Sequence, residues 1–123
     1  MSEIGFSDLL VKLATEAEAR TAAELAAKET GGTLMRNGAG RGRKANSMLG
    51  SIPKRSYMNI VPSPDYALKD VVVFKNAMGG LTMHEVVDKR PGAVYTKGTF
   101  NPRGDGWIPL TDVKGKIAKH FSW

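Results

Sequence analysis

The sequence predicts a mainly β protein, a compact antiparallel β fold that follows one N-terminal α-helix and an extended basic arm. Short runs rich in β-branched and aromatic residues recur after residue 55, separated by proline, glycine and aspartate. Residues 1–30 are rich in alanine and glutamate, which favour helix. Residues 31–46 are rich in glycine and lack periodicity. We therefore divide the chain into a helix (1–30), a linker (31–46) and a β domain (47–123), with room for one small core.

The helix is predicted over about residues 7–30. Ser7 can cap its first turn, and the Gly31–Gly32 pair can end it. One apolar stripe recurs at helical spacing and consists of Phe6, Leu10, Leu13 and Ala17. Beyond Ala14 the stripe is nearly all alanine, which buries little area per residue. We therefore expect a helix that lies on the surface or binds a partner, outside the core.

The basic arm carries most of the net charge of +6. Residues 31–55 contain no acidic residue and six basic ones, namely Arg36, Arg41, Arg43, Lys44, Lys54 and Arg55. Such an arm can bind phosphate, an acidic lipid face or an acidic protein, or it can remain a solvated segment. Nucleic acid is the minor option, because residues 31–46 contain no aromatic side chain that could stack on a base.

The β domain is predicted to consist of short strands. β-branched runs bounded by turn residues place strands at 56–61, 71–74, 81–87 and 93–98, with 113–121 as a strand or a short helix. The segment 62–70 contains two prolines and is predicted as a loop. The hairpin turn is predicted within 88–92, and a Gly/Pro-rich loop within 100–107. Trp107 is predicted to lie in the core.

Several classes of protein are excluded by composition. Cysteine is absent, so disulfides, thiolate metal sites and cysteine nucleophiles are excluded. His84 and His120 are the two histidines, which leaves little for a transition-metal site, and no cofactor is expected. No apolar run is long enough for a transmembrane segment, and residues 1–14 lack the order of a secretory signal. We expect a cytoplasmic protein, or a virion protein if a phage encodes it.

A series of motifs follows in order over about residues 45–118. They are Asn46-Ser47-Met48, IPKRSY (52–57), KDVVVF (69–74), TMHEVV (82–87), YTKGTFNPRGD (95–105), WIP (107–109) and VKGK (113–116). In this order the series resembles the signal-peptidase-like serine protease clan. That clan includes type I signal peptidases and the self-cleaving domain of the SOS repressor. Where this chain has KDVVVF, the usual pattern of the clan reads G-D-V-V-V-F.

The resemblance implies roles for three residues. Ser47 matches the nucleophile of the clan, His84 the general base of its histidine-type members, and Asp105 the second aspartate of the later motif. The chemistry is consistent, because a serine hydroxyl is a weak nucleophile until a neighbouring base takes its proton. A carboxylate can in turn orient the imidazole of that base.

The chain also departs from the pattern of the clan. Thr99 stands where the clan has its first aspartate, Glu85 follows the histidine where an arginine is usual, and Leu49-Gly50 replaces Glu-Pro. The membrane anchor of signal peptidases is not evident. Two hypotheses therefore remain open, an endopeptidase and a non-catalytic module that reuses the fold.

The two hypotheses imply different partners. The endopeptidase would cut a protein or peptide bound as an extended strand, or its own arm at Ala39–Gly40. The non-catalytic module would be a structural protein, such as a capsid-decoration or minor head protein of a phage virion. It would contact neighbouring subunits in a homo- or hetero-oligomer. Trp123 is predicted to dock onto another molecule, and His120 to lie on the surface.

Overall fold

The computed structural model describes residues 10–37, 55–98 and 102–123. Within these ranges the chain forms one α-helix, a short 3-10 helix at Leu110–Asp112 and eight strands, and the strands make one mainly antiparallel sheet. In chain order the elements are β1 (Leu10–Lys12), α1 (Glu16–Thr30), β2 (Thr33–Asn37), β3 (Ser56–Val61), β4 (Val71–Lys75), β5 (Leu81–Arg90), β6 (Ala93–Lys97), β7 (Gly106–Pro109) and β8 (Val113–Ser122). The predicted fold class, mainly β with one N-terminal helix, is confirmed. No helix in the described ranges is long and apolar enough to cross a membrane.

The strand β8 joins the two halves of the sheet. The strands lie in the order β2-β3-β8-β4-β5-β6-β7. Lys116 of β8 is paired with Val61 of β3 on one edge and with Val72 of β4 on the other. Beyond the end of β4, the same edge of β8 pairs in parallel with β1, which sets Leu10 opposite His120.

Apolar side chains fill both faces of the sheet. Successive residues of β4 point to opposite faces, so this fully buried run contributes to two clusters. One cluster consists of Met58, Ile60, Val71, Val73 and Ile117. The other consists of Tyr66, Val72, Phe74, Val86 and Val94. The second cluster lines the face of the sheet on which His84 lies.

The helix α1 begins later than predicted and belongs to the core. It starts at Glu16, where the hydroxyl of Thr15 accepts a hydrogen bond from the N–H of Glu18 at 3.2 Å. Residues 10–12 form β1 instead, because the edge of β8 beyond β4 offers them backbone partners. Ala19 and Ala23 are fully buried, since small side chains let the helix approach the sheet closely. The prediction of a helix outside the core is therefore wrong.

Part of the predicted linker is a strand. Residues 33–37 form β2, the edge strand of the sheet, which pairs with β3 from Thr33–Ile60 to Asn37–Ser56. Arg36 lies in this strand, and its guanidinium donates to Glu16 at 3.1 Å across the sheet edge. That hydrogen bond raises the pKa of Arg36 above its ordinary value. Arg36 is thus a residue of the sheet and not of a mobile arm. Arg55 is exposed just before β3, and Arg41, Arg43, Lys44 and Lys54 lie outside the described residues.

The boundaries of the other predicted strands agree closely with those in the structure. The strand predicted at 56–61 has those bounds, and 113–121 is a strand. The hairpin turn lies at Pro91–Gly92, because β5 continues to Arg90 and pairs there with Ala93. The predicted loop at 100–107 overlaps β7, which pairs with β6 from Gly106 onward. Sequence pattern alone does not reveal such a short edge strand.

Candidate active site

His84 lies near the middle of the sheet, on the face of the second apolar cluster. The register of β4 and β5 sets it opposite Val72. Its ring lies edge-on to Phe74, with the centroids 6.1 Å apart. His84 is only 5% exposed. Apolar packing therefore restricts the imidazole to few orientations.

Asp105 is held by the turn between β6 and β7. Its backbone N–H donates to the C=O of Thr96 at 2.7 Å. Gly104, just before it, lies against the ring of Tyr95, where a Cβ atom would collide with that ring. Gly106, just after it, has a φ of +90°, which glycine adopts without strain. Glycines on both sides therefore allow the backbone path that brings the carboxylate to β5.

The side chains of His84 and Asp105 form a hydrogen bond. Nδ1 of His84 lies 2.5 Å from Oδ2 of Asp105, and the carboxylate side chain is 23% exposed. An ionised carboxylate accepts hydrogen bonds only, so an ionised Asp105 pairs with the tautomer of His84 that carries the N–H on Nδ1. A neutral imidazole with that N–H carries its lone pair on Nε2, the nitrogen that can then act as a base. The structure thus brings the two predicted residues together as a hydrogen-bonded pair.

Thr96 is a third member of the site, and it was not among the residues predicted from the sequence. Its hydroxyl donates to the same Oδ2 of Asp105 at 2.7 Å, and its side chain is fully buried. One signal was available in the sequence. Thr96 follows Val94 by two positions in β6, so a polar side chain takes the inward place of an apolar one.

The loop 62–70 is hydrogen-bonded to β5 close to His84. Lys69 donates its N–H to the C=O of Val86, and Val86 donates its own N–H to the C=O of Asp70, both at 2.8 Å. Farther along, the ammonium of Lys89 lies 2.9 Å from Oδ2 of Asp65. That contact, with a hydrogen bond from the N–H of Tyr66, lowers the pKa of Asp65 below its ordinary value.

Ser47, the predicted nucleophile, lies outside the described residues, as does Thr99. Of the three predicted catalytic residues, the structure therefore shows the relation between His84 and Asp105. Among residues 10–37, 55–98 and 102–123, no group of three or more histidine and acidic side chains could hold a metal ion.

Two further predictions from the sequence, those for His120 and Trp107, need correction. His120 is fully buried and does not lie on the surface, because β3 and β1 flank it on β8. Trp123, for which docking onto another molecule stays a prediction, is half-buried, with its ring centroid 5.3 Å from that of Tyr57. Trp107 is only half-buried, between the ring of Tyr95 and the guanidinium of Arg90.

Comparison with known families and with curated proteins finds no match for this chain.

Proposed function

We propose that the protein is a serine endopeptidase in which Ser47 is the nucleophile, His84 the general base and Asp105 the residue that orients the base. The observation that carries the proposal is the 2.5 Å hydrogen bond between Nδ1 of His84 and Oδ2 of Asp105. These two residues were singled out from separate motifs, 21 positions apart in the chain. Their contact is what a serine–histidine–aspartate mechanism requires of them.

A second observation supports the resemblance on which Ser47 rests. Lys69 stands where the pattern of the clan has glycine, and it has a left-handed φ of +75°. Glycine adopts this conformation most readily, whereas other L-residues rarely do. The backbone at this point thus has the conformation that explains a glycine in the pattern.

The proposed reaction proceeds in two halves. Nε2 of His84 takes the proton of the Ser47 hydroxyl as Oγ attacks the carbonyl carbon of the peptide. The resulting tetrahedral intermediate collapses when His84 gives that proton to the leaving amine, and an acyl-enzyme remains. Water then attacks the acyl group while His84 takes a proton from it, and the second tetrahedral intermediate collapses when His84 returns that proton to Oγ of Ser47, which releases the carboxylic acid and regenerates the serine. The carboxylate of Asp105 orients the imidazole and stabilises the imidazolium that forms.

The experiment uses the full chain with and without Ser47→Ala. Each protein is incubated alone and with a library of short synthetic peptides, and all products are identified by mass spectrometry. Incubation alone detects self-cleavage, including a cut between Ala39 and Gly40. We expect products from the unaltered chain and none from Ser47→Ala. Ser63→Ala, which changes a serine of the 62–70 loop, is the matched control and should leave the products unchanged.

The variants of the base and of its partner complete the test. We expect His84→Gln to abolish cleavage, and Asp105→Asn to lower kcat by about 10²–10⁴-fold, because the imidazole loses its orientation. Asp88→Asn changes an exposed aspartate of β5 and serves as the control. Identical products from the unaltered chain and Ser47→Ala would contradict the proposal. A complete lack of products would favour the alternative, a non-catalytic structural module in an assembly.

A further inference from the structure

One oxygen atom of Asp105 receives two hydrogen bonds. Oδ2 accepts from His84 and also from the hydroxyl of Thr96. We propose that Thr96 is a positioning residue, whose hydroxyl fixes the Asp105 carboxylate so that the proton of His84 stays on Nδ1. The effect on cleavage rests on the function proposed above, whereas the effect on the orientation of His84 does not.

Thr96 contacts Asp105 through both its backbone and its side chain. The Thr96 C=O accepts the Asp105 N–H, and the Thr96 hydroxyl donates to Oδ2, each at 2.7 Å. The backbone hydrogen bond fixes the position of the Asp105 backbone relative to β6. The hydroxyl contact restricts the remaining freedom, which is rotation of the carboxylate about its side-chain bonds. The two contacts together leave Oδ2 at one place beside His84.

The chemistry of a buried threonine suits this role. Its β-branched side chain has few χ1 rotamers, so the direction of the hydroxyl is set by the strand. Leaving a fully buried hydroxyl without its hydrogen bond costs free energy, which keeps the Thr96 O–H directed at the carboxylate of Asp105. The sequence adds a reason, because Thr99 replaces the first aspartate of the clan. Of the two aspartates in the pattern of the clan, this chain therefore keeps Asp105 alone, and the position of that carboxylate sets the orientation of His84.

The test compares Thr96→Val, which removes the hydroxyl at nearly constant shape, with Thr96→Ser, which keeps it. The first readout is the NMR signal of the His84 Nδ1 proton in the full chain. The second is peptide cleavage. We expect Thr96→Val to shift this low-field signal upfield or abolish it, and to lower kcat about tenfold with KM unchanged. Thr96→Ser should restore both the signal and the rate.

An unchanged Nδ1 proton signal in a folded Thr96→Val variant would overturn the proposal. If that variant does not fold, the hydroxyl proton of Thr96 in the unaltered protein decides instead. Slow exchange with water supports the proposal, and exchange at the rate of an exposed hydroxyl overturns it. If the unaltered chain cleaves nothing, the proposed function fails, and the NMR signals still decide the role of Thr96.

Discussion

Lys69 donates its backbone N–H to the C=O of Val86 at 2.8 Å while its own φ is +75°. This hydrogen bond fastens the 62–70 loop to β5 two residues after His84. A non-glycine residue in this conformation brings its Cβ close to the backbone carbonyl. The backbone of Lys69 is therefore locally strained, and its hydrogen bond holds the loop against the strand that carries His84.

The first prediction concerns that strain. We expect Lys69→Gly to be more stable than Lys69→Ala by about 1 kcal/mol, because glycine relieves the contact of the Cβ atom. Both variants remove the rest of the lysine side chain, so their difference isolates the Cβ atom. Urea denaturation gives the free energy of unfolding of each. Equal stability of the two variants would show that Lys69 is unstrained.

The second prediction concerns the close approach of Gly104 to Tyr95. We expect Gly104→Ala to destabilise the fold by about 1–3 kcal/mol, because its Cβ would collide with the Tyr95 ring. Cleavage should fall as well, since Asp105 is the next residue. The same substitution should cost much less in a Tyr95→Ala background, where the ring is absent. Full additivity of the two changes would contradict this explanation.

The third prediction concerns the pH dependence of the Asp65–Lys89 pair. Lys89 holds the pKa of Asp65 below its ordinary value of 3.8. The contribution of the pair to stability is therefore complete above that value and is lost as the pH falls through the lower pKa of the folded state. We expect Lys89→Met to raise the pKa of Asp65 in an NMR titration. Lys114→Met, on β8, should leave that pKa where it is.

The fourth prediction concerns the ring of Trp123. It packs against Tyr57, and the guanidinium of Arg36 lies over it at 5.5 Å from its centroid. We expect Trp123→Ala to lower the free energy of unfolding by about 2 kcal/mol, less than for a fully buried aromatic residue because this ring is half-buried. Trp123→Phe keeps an aromatic ring and should lose much less. Thermal unfolding of the three proteins compares them directly.

The parts of the fold that could be predicted from sequence have strong local signals. The run 71–74 consists of β-branched and aromatic residues, and it forms a strand buried on both faces. His84 and Asp105 were found through motifs, and they are hydrogen-bonded in the structure. The strand is recognised from adjacent residues, and each of the two site residues from the residues of its own motif, although the two motifs lie 21 positions apart.

The other features depend on partners that are distant in the sequence. Residues 10–12 fit a helical stripe as well as a strand, and only the open edge of β8 decides between them. The burial of His120 follows from the same pairing, because β1 flanks it. Thr96 belongs to the site only because its hydroxyl donates a hydrogen bond to Asp105, a residue of a later segment. Such choices are made by tertiary contacts, which local sequence does not encode.

The position of β8 between β3 and β4 has a consequence for how the chain folds. Its pairings join residues 113–122 to residues 56–61, 71–75 and 10–12, so most of them span long stretches of sequence. Long loops must close before these contacts form, which makes folding slow compared with a helical protein of the same size. Neither half of the sheet has its full set of backbone partners until β8 enters. We therefore expect the two halves to unfold together, in a single cooperative transition.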